Sequence, residues 1–214
     1  MQIITIDGPA SSGKGTVARL IAKKLRFHYL ESGAIYRVIA LVTIRYGLTS
    51  NDINQILDLI NKVKLEFYDD KVLVNGEDVT VLLRAEEVGM MASSIAKVAT
   101  IRERLLDFQR GFAVEPGLVT DGRDMGSIVF PNADLKVFLT ASAEIRAARR
   151  YQQLKQPSAN YDAILADIVA RDKQDSERAT APLTYDSSFV LIDNGNMTVD
   201  ETVEKIISRI NRGD

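Results

Sequence analysis

The chain has 214 residues, 46% hydrophobic and 26% charged, with a formal net charge of -2 at pH 7; these values suit one globular domain with an insertion, or two small ones, and exclude disorder as the main state. The absence of cysteine and the single histidine exclude disulfides, thiolate chemistry and multi-histidine zinc sites. The balance gives no general attraction to polyanions, and no apolar run approaches the roughly 20 residues of a membrane span, so a cytoplasmic protein with no leader to remove is expected.

Gln2 to Asp7 alternates and branches at Cβ, which predicts a short buried strand. A loop rich in glycine and serine, Gly8 to Gly15, leads into a helix marked by Val17, Leu20, Ile21 and Leu25. Helices follow over Ala34 to Tyr46 and, after the turn Gly47 to Asn51, over about Asp52 to Lys62. The pattern then becomes strand-like at Lys64 to Tyr68 and Lys71 to Val74, with Asp69-Asp70 and Asn75-Gly76 as turns, predicting a small antiparallel sheet set among helices. Helical periodicity returns from Thr80 to Val114 as two or three helices, until Glu115-Pro116-Gly117 stops it. Short strands at Leu118 to Thr120, Leu135 to Leu139 and Phe189 to Ile192, and a helix at Val199 to Ile210, complete the chain. Strands alternating with helices predict an α/β fold with a parallel, helix-covered sheet, and 51–79 as an excursion outside it. Lys155 to Tyr161, rich in proline, serine and asparagine between charged helical stretches, is the candidate mobile lid.

Gly8-Pro9-Ala10-Ser11-Ser12-Gly13-Lys14-Gly15-Thr16 has the spacing of a phosphate-binding loop between a predicted strand and a predicted helix. The glycines let consecutive N–H groups turn toward one anion at a helix N-terminus, and Lys14 reaches the outer phosphates. Gly15 stands where a magnesium-binding hydroxyl is usual; the hydroxyl comes one residue later, on Thr16.

Such a loop is compatible with a GTPase switch, a motor, a transporter ATPase or a small-molecule kinase. The arginines narrow the choice. Asp121-Gly122-Arg123-Asp124 lies just past the carboxyl end of a predicted strand, where open α/β sheets bind ligands. Glu31-Ser32-Gly33-Ala34-Ile35-Tyr36-Arg37 sets a hydroxyl and a guanidinium on a turn and its helix. Arg171, Asp175 and Arg178 are spaced along one predicted helix face, and Arg146, Arg149 and Arg150 along another, as charges that an anion would neutralise. Arginines and a lysine suffice for phosphoryl transfer when the acceptor is a phosphate monoester, already nucleophilic above its second pKa near 6. A nucleoside monophosphate thus suits this inventory better than a hydroxyl that needs a base. His28, beside Phe27 and Tyr29, reads as a packed or surface residue.

With these residues the sequence resembles the bacterial cytidylate kinases essentially end to end. The resemblance is carried by Ile4-Thr5-Ile6-Asp7-Gly8-Pro9 with Gly13-Lys14-Gly15-Thr16, by Ser32 to Arg37, by Asp121 to Gly126, and by Arg171-Asp172 with Asp175, Arg178, Pro182 and Leu183. It implies a P-loop kinase core at about 1–50, 115–145 and 187–214, an acceptor-binding region at 51–114 containing the inserted strands, and a helical lid at 146–186. It implies ATP on Gly8 to Thr16, with Lys14, Arg123, Arg171 and Arg178 as catalytic residues and Mg2+ accompanying ATP, Thr16 being its candidate protein contact. Arg37, Arg123 and Arg178 would hold the acceptor phosphate, Arg171 and Asp175 the sugar, and Ser32, Ser93, Arg102 and Asp124 the base, with Tyr36 and Asp121 completing the acceptor set. The resemblance implies transfer from ATP to CMP or dCMP in preference to UMP. An adenylate- or shikimate-kinase-like acceptor, or a nucleotide-dependent switch, are the alternatives, though the chain has no Asn-Lys-x-Asp guanine-reading motif. Neither nucleic acid nor membrane is an expected partner, and a monomer is expected.

Overall fold

The elements, in chain order, are β1 (Gln2–Asp7), α1 (Lys14–Leu25), β2 (His28–Glu31), α2 (Ser32–Arg45), α3 (Ile53–Lys62), β3 (Leu65–Tyr68), β4 (Lys71–Val74), β5 (Glu77–Asp78), a 3-10 turn (Leu82–Arg84), α4 (Glu86–Ile95), α5 (Ala99–Arg110), β6 (Gly117–Gly122), a π-helical turn (Met125–Val129), β7 (Leu135–Thr140), α6 (Ala143–Leu154), α7 (Tyr161–Ser176), β8 (Phe189–Asp193) and α8 (Val199–Ile210). They come from a computed structural model, which describes residues 1–68, 71–154, 160–178 and 181–210. The chain divides into two compact units, Met1–Tyr29 with Ala113–Asp214, and Leu30–Phe112.

In the first unit the β-branched run at 2–7 becomes the central strand of a five-stranded sheet of order β2-β6-β1-β7-β8. The pairings of β1 with β6, β1 with β7 and β7 with β8 are parallel, as the alternation of strands and helices predicts. Strand side chains alternate, so Ile4 and Ile6 face one side with Val119, Val137 and Leu139 and bury against Val17, Ala18 and Ile21 of α1 and Val203 and Ile206 of α8. Each large aliphatic side chain so buried contributes about 1.5–3 kcal/mol. The odd residues of β1, Thr5 and Asp7, are also buried, and Asp7 is thereby aimed at the π-helical turn.

In the second unit α2 packs on α3 and α4, and α3 on α5. The β3-β4-β5 sheet is antiparallel, with Leu65 opposite Val74. Its β4–β5 turn is Asn75-Gly76, both at positive φ (51° and 85°), the left-handed pair a two-residue hairpin turn requires. Phe112 closes the unit with edge-on contacts to Phe67 and Phe108.

The structure departs from the sequence pattern at several places. β2 is a strand that the sequence does not announce: its four residues come just after α1, with Arg26 and Phe27 between, and run directly into α2. Met125–Val129 forms a π-helical turn capped by Asp124, whose carbonyl accepts from both Ile128 and Val129. α7 ends at Ser176, so Arg178 lies beyond it rather than on its face. The turn Asp69-Asp70 lies outside the described residues, as does the candidate lid except for Asn160 and Tyr161; Asn160 caps α7, accepting from Ala163 N–H at 3.1 Å. No helix among the described residues is long and apolar enough to cross a membrane.

Candidate active site

The phosphate loop forms where β1 ends and α1 begins. A Cβ at Gly8 would lie 2.1 Å from the Leu139 carbonyl oxygen, so the chain passes there only as glycine. Gly13 precedes α1 at φ 86°, in left-handed geometry, and Ser11 adopts φ 59°. Three of the loop's carbonyls accept side-chain donors, one from within the loop and two from outside it. Lys14 Nζ donates to Pro9 O (3.1 Å), Arg146 Nη1 to Ala10 O (3.0 Å) and Asn194 Nδ2 to Ser12 O (3.0 Å). Ser12 Oγ is fully buried and has no hydrogen-bond partner among the described residues. An orphaned hydroxyl in such a loop fits a phosphate oxygen.

Burial is the first cause of the pKa shifts of Lys14, Asp7 and Asp121. Lys14 is lowered to about 7 by desolvation first, then by the nearby Arg123, while Asp121, Asp175 and Asp7 oppose the shift. Asp7 is pushed up to about 7, again by desolvation first, although Met125 and Gly126 N–H donate to its two carboxylate oxygens at 2.9 and 2.7 Å. Asp121 is raised mainly by burial, against the pull of Lys14 and the hydrogen bond donated by Tyr29 Oη at 2.7 Å. A Cβ at Gly15 would sit 3.5 Å from the same Tyr29 oxygen, an ordinary contact. Thr16 is exposed.

Past the end of β6, Arg123 Nε donates to Asp175 Oδ2 at 2.6 Å, and Arg178 pairs with the other carboxylate oxygen. Two guanidinium groups thus converge on one buried carboxylate. Asp124 is buried ahead of the π-helical turn, and Arg171 on α7 is exposed.

The arginines of α6 differ from the sequence expectation of one anion-seeking face. Arg146 is buried, its charge met by Asp172 (3.0 and 2.5 Å) and by the Ala141 and Ala10 carbonyls. Arg149 donates to Asn194 Oδ1 (3.1 Å) and Asn194 O (2.7 Å), and Arg150 is exposed. The first two therefore brace the loop from behind.

The second unit holds the remaining candidates. Ser32 is buried at the start of α2, and its hydroxyl donates to Gln109 Oε1 at 2.9 Å. Arg102 is buried, with its guanidinium carbon 5.7 Å from the Tyr36 ring centre. Arg37 Nη1 donates to Leu83 O at 2.6 Å, and Ser93 is exposed on α4. Asn194 and Gln109 are polar residues of these surroundings that stand outside the motifs, and Asp7 and Asp172 stand within them without an assigned role. The available signal was one polar residue on an otherwise apolar stretch: Asp7 closing a β-branched strand, Gln109 in line with Ile101 and Leu105 on α5. Among the described residues no group of three or more acidic or histidine side chains is gathered to hold a metal. Exposed His28 donates through Nε2 to Glu115 O at 2.9 Å.

The sequence matches the model of the cytidylate kinase family over residues 4–212. Cytidylate kinases of Paraburkholderia phytofirmans and Burkholderia ambifaria are 49% and 50% identical over 207 residues, covering 96% of this chain and 91% of each relative. In fold the chain is similar to a shikimate kinase from Bacteroides thetaiotaomicron (TM-score 0.52, 11% identity, 98% of both chains) and to an uncharacterized protein from Eubacterium ventriosum (TM-score 0.58, 13% identity, 99% of both chains). At those identities the likeness concerns the fold alone.

Proposed function

The chain belongs to the cytidylate kinase family, and on that premise we propose that it transfers the γ-phosphoryl group of ATP to CMP or dCMP, giving ADP and CDP or dCDP. The observation that supports this chemistry is the convergence of Arg123 and Arg178 on one carboxylate, in the unit that also holds the phosphate loop and buried Lys14. A phosphate dianion is the ligand that replaces a carboxylate between two guanidinium groups.

An oxygen of the acceptor phosphate attacks the γ-phosphorus, and the bond from that phosphorus to the β–γ bridging oxygen breaks, releasing ADP. No general base is required, because the acceptor is ionised above a second pKa near 6. The loop from Gly8 to Thr16 holds the ATP phosphates, with Ser12 Oγ as a waiting donor. Lys14, Arg123, Arg171 and Arg178 stabilise the negative charge that spreads over the transferring group. Mg2+ bound with ATP supplies further neutralisation of the outer phosphates, as is usual for an ion held by substrate phosphates and water, and Thr16 is its candidate protein contact. In the first unit Asp175 and Arg171 serve the sugar, and Asp124 the base. In the second, Ser32, Ser93 and Arg102 serve the base, Arg37 the acceptor phosphate, and Tyr36 belongs to the acceptor set. The same reading takes the enzyme as a cytoplasmic monomer, which sedimentation velocity tests for its oligomeric part.

The deciding assay supplies ATP and Mg2+ with CMP, dCMP, UMP, AMP or GMP one at a time and follows ADP formation. Turnover highest with CMP and dCMP is the expected result. Preference for AMP, or turnover with none, overturns the reading.

A further inference from the structure

Ser32 and Tyr36 lie one turn apart on α2, while Arg102, Leu105 and Gln109 follow along one face of α5. The two rows meet twice, at Tyr36 with Arg102 and at Ser32 with Gln109. The second meeting is deeply enclosed: Ser32 is 5% exposed and Gln109 2%. Gln109 Nε2 is committed to the Leu105 carbonyl one turn back, at 3.1 Å. Turning the amide round would set its oxygen against that carbonyl, so Oε1 is the atom that faces Ser32. An amide oxygen can only accept, and the Ser32 hydroxyl must use its single proton on it. Lone pairs are all that Ser32 Oγ has left.

A hydroxyl free to rotate donates or accepts as its partner requires and discriminates poorly between an amino group and a carbonyl. We propose that Gln109 is a positioning residue for base selection: by taking the Ser32 proton it makes Ser32 an acceptor only, matched to the exocyclic amino group of cytosine and opposed to the carbonyl that uracil carries at the same position. This rests on the reading above, in which Ser32 faces the base. Uracil would set its oxygen against the lone pairs of a serine unable to reorient, and a buried unpaired polar contact is how hydrogen-bonding sites reject near-isosteres. Gln109 reaches the substrate only through Ser32.

The test compares kcat/KM for CMP and UMP in single variants. In Gln109→Leu the Ser32 hydroxyl is freed to donate to uracil, so the CMP-to-UMP ratio falls, by about tenfold or more. Gln109→Glu still offers Ser32 an acceptor oxygen, ionised or not, and keeps the ratio near the wild-type value. Ser32→Ala lowers the ratio by itself, and adding Gln109→Leu to it produces no further fall. A Gln109 that merely supports α5 would depress both substrates alike, and an unchanged ratio in folded Gln109→Leu overturns the proposal. Should that variant fail to unfold cooperatively on heating, Gln109→Met makes the same comparison, and an unchanged ratio in Ser32→Ala alone is equally fatal. Wild-type protein that turns over neither nucleotide overturns the kinase reading itself, and the inference with it.

Discussion

Lys14 illustrates how an anion site looks before its anion arrives. Its ammonium is buried and sits near Arg123, so its pKa is lowered to about 7 despite the surrounding carboxylates and the hydrogen bond it donates to Pro9 O. Phosphate groups beside Nζ favour the charged form and raise that value. At pH 8 the free protein holds Lys14 mostly neutral, and the ATP complex holds it charged, so binding takes up a proton. Calorimetric titration with ATP at pH 8 in two buffers of different ionisation enthalpy is expected to give two different apparent enthalpies, and affinity is expected to fall as pH rises above 7. Identical enthalpies would mean that Lys14 is already protonated. Lys14→Met is expected to abolish the difference and to lower kcat by roughly 10²–10³, the usual size for a lost charge-stabilising donor.

At the scale of elements, α6 is a brace for the loop between β1 and α1. Carbonyls that turn outward leave their neighbours' N–H groups turned toward the anion, and Arg146 and Asn194 hold two such carbonyls, with Arg149 fixing Asn194 in turn. Removing one buried donor leaves a carbonyl unpaired, at about 1–3 kcal/mol. Asn194→Ala is therefore expected to raise KM for ATP about 5- to 140-fold while KM for CMP stays near its original value. Kinetics with each substrate varied at saturation of the other measure this, and equal rises in both constants would refute it. The spacing of Arg146 and Arg149 is plain in the sequence, but their partners are not. Asp172 and Asn194 come from distant segments, so like charges read from spacing alone lack their neutralising groups. β2 escapes sequence reading for a related reason: four residues are too few to show a period, and pairing at the sheet edge makes them a strand. The parallel sheet and the Asn75-Gly76 hairpin, by contrast, rest on consecutive residues and are legible.

Over the whole molecule the same distinction separates the motifs from what supports them. The loop from Gly8 to Thr16 can be read because strand, glycines and helix are contiguous, whereas Ser32 and Gln109 are 77 positions apart and their partnership is set by the packing of two helices. Asp7 belongs to the second kind, since a carboxylate at the end of a buried strand acquires its meaning only when Met125 and Gly126 arrive to donate to it. Its consequence is global. Burial raises Asp7 from 3.8 to about 7, so between those values the folded protein binds more protons than the unfolded chain, and stability falls as pH rises through that window. Lys14 is lowered from 10.5 to about 7, so above pH 7 the unfolded chain binds more protons and stability rises with pH. Together the two groups place a minimum in their contribution near pH 7, the region where the site stands ready for an anion. Thermal unfolding of wild type and Asp7→Asn from pH 5 to 9 separates the first arm from the second. The difference in Tm between them is expected to shift against the wild type from pH 5 to 7 and to level off above. A difference independent of pH over that range would show that Asp7 is ionised throughout, its two N–H donors outweighing its burial.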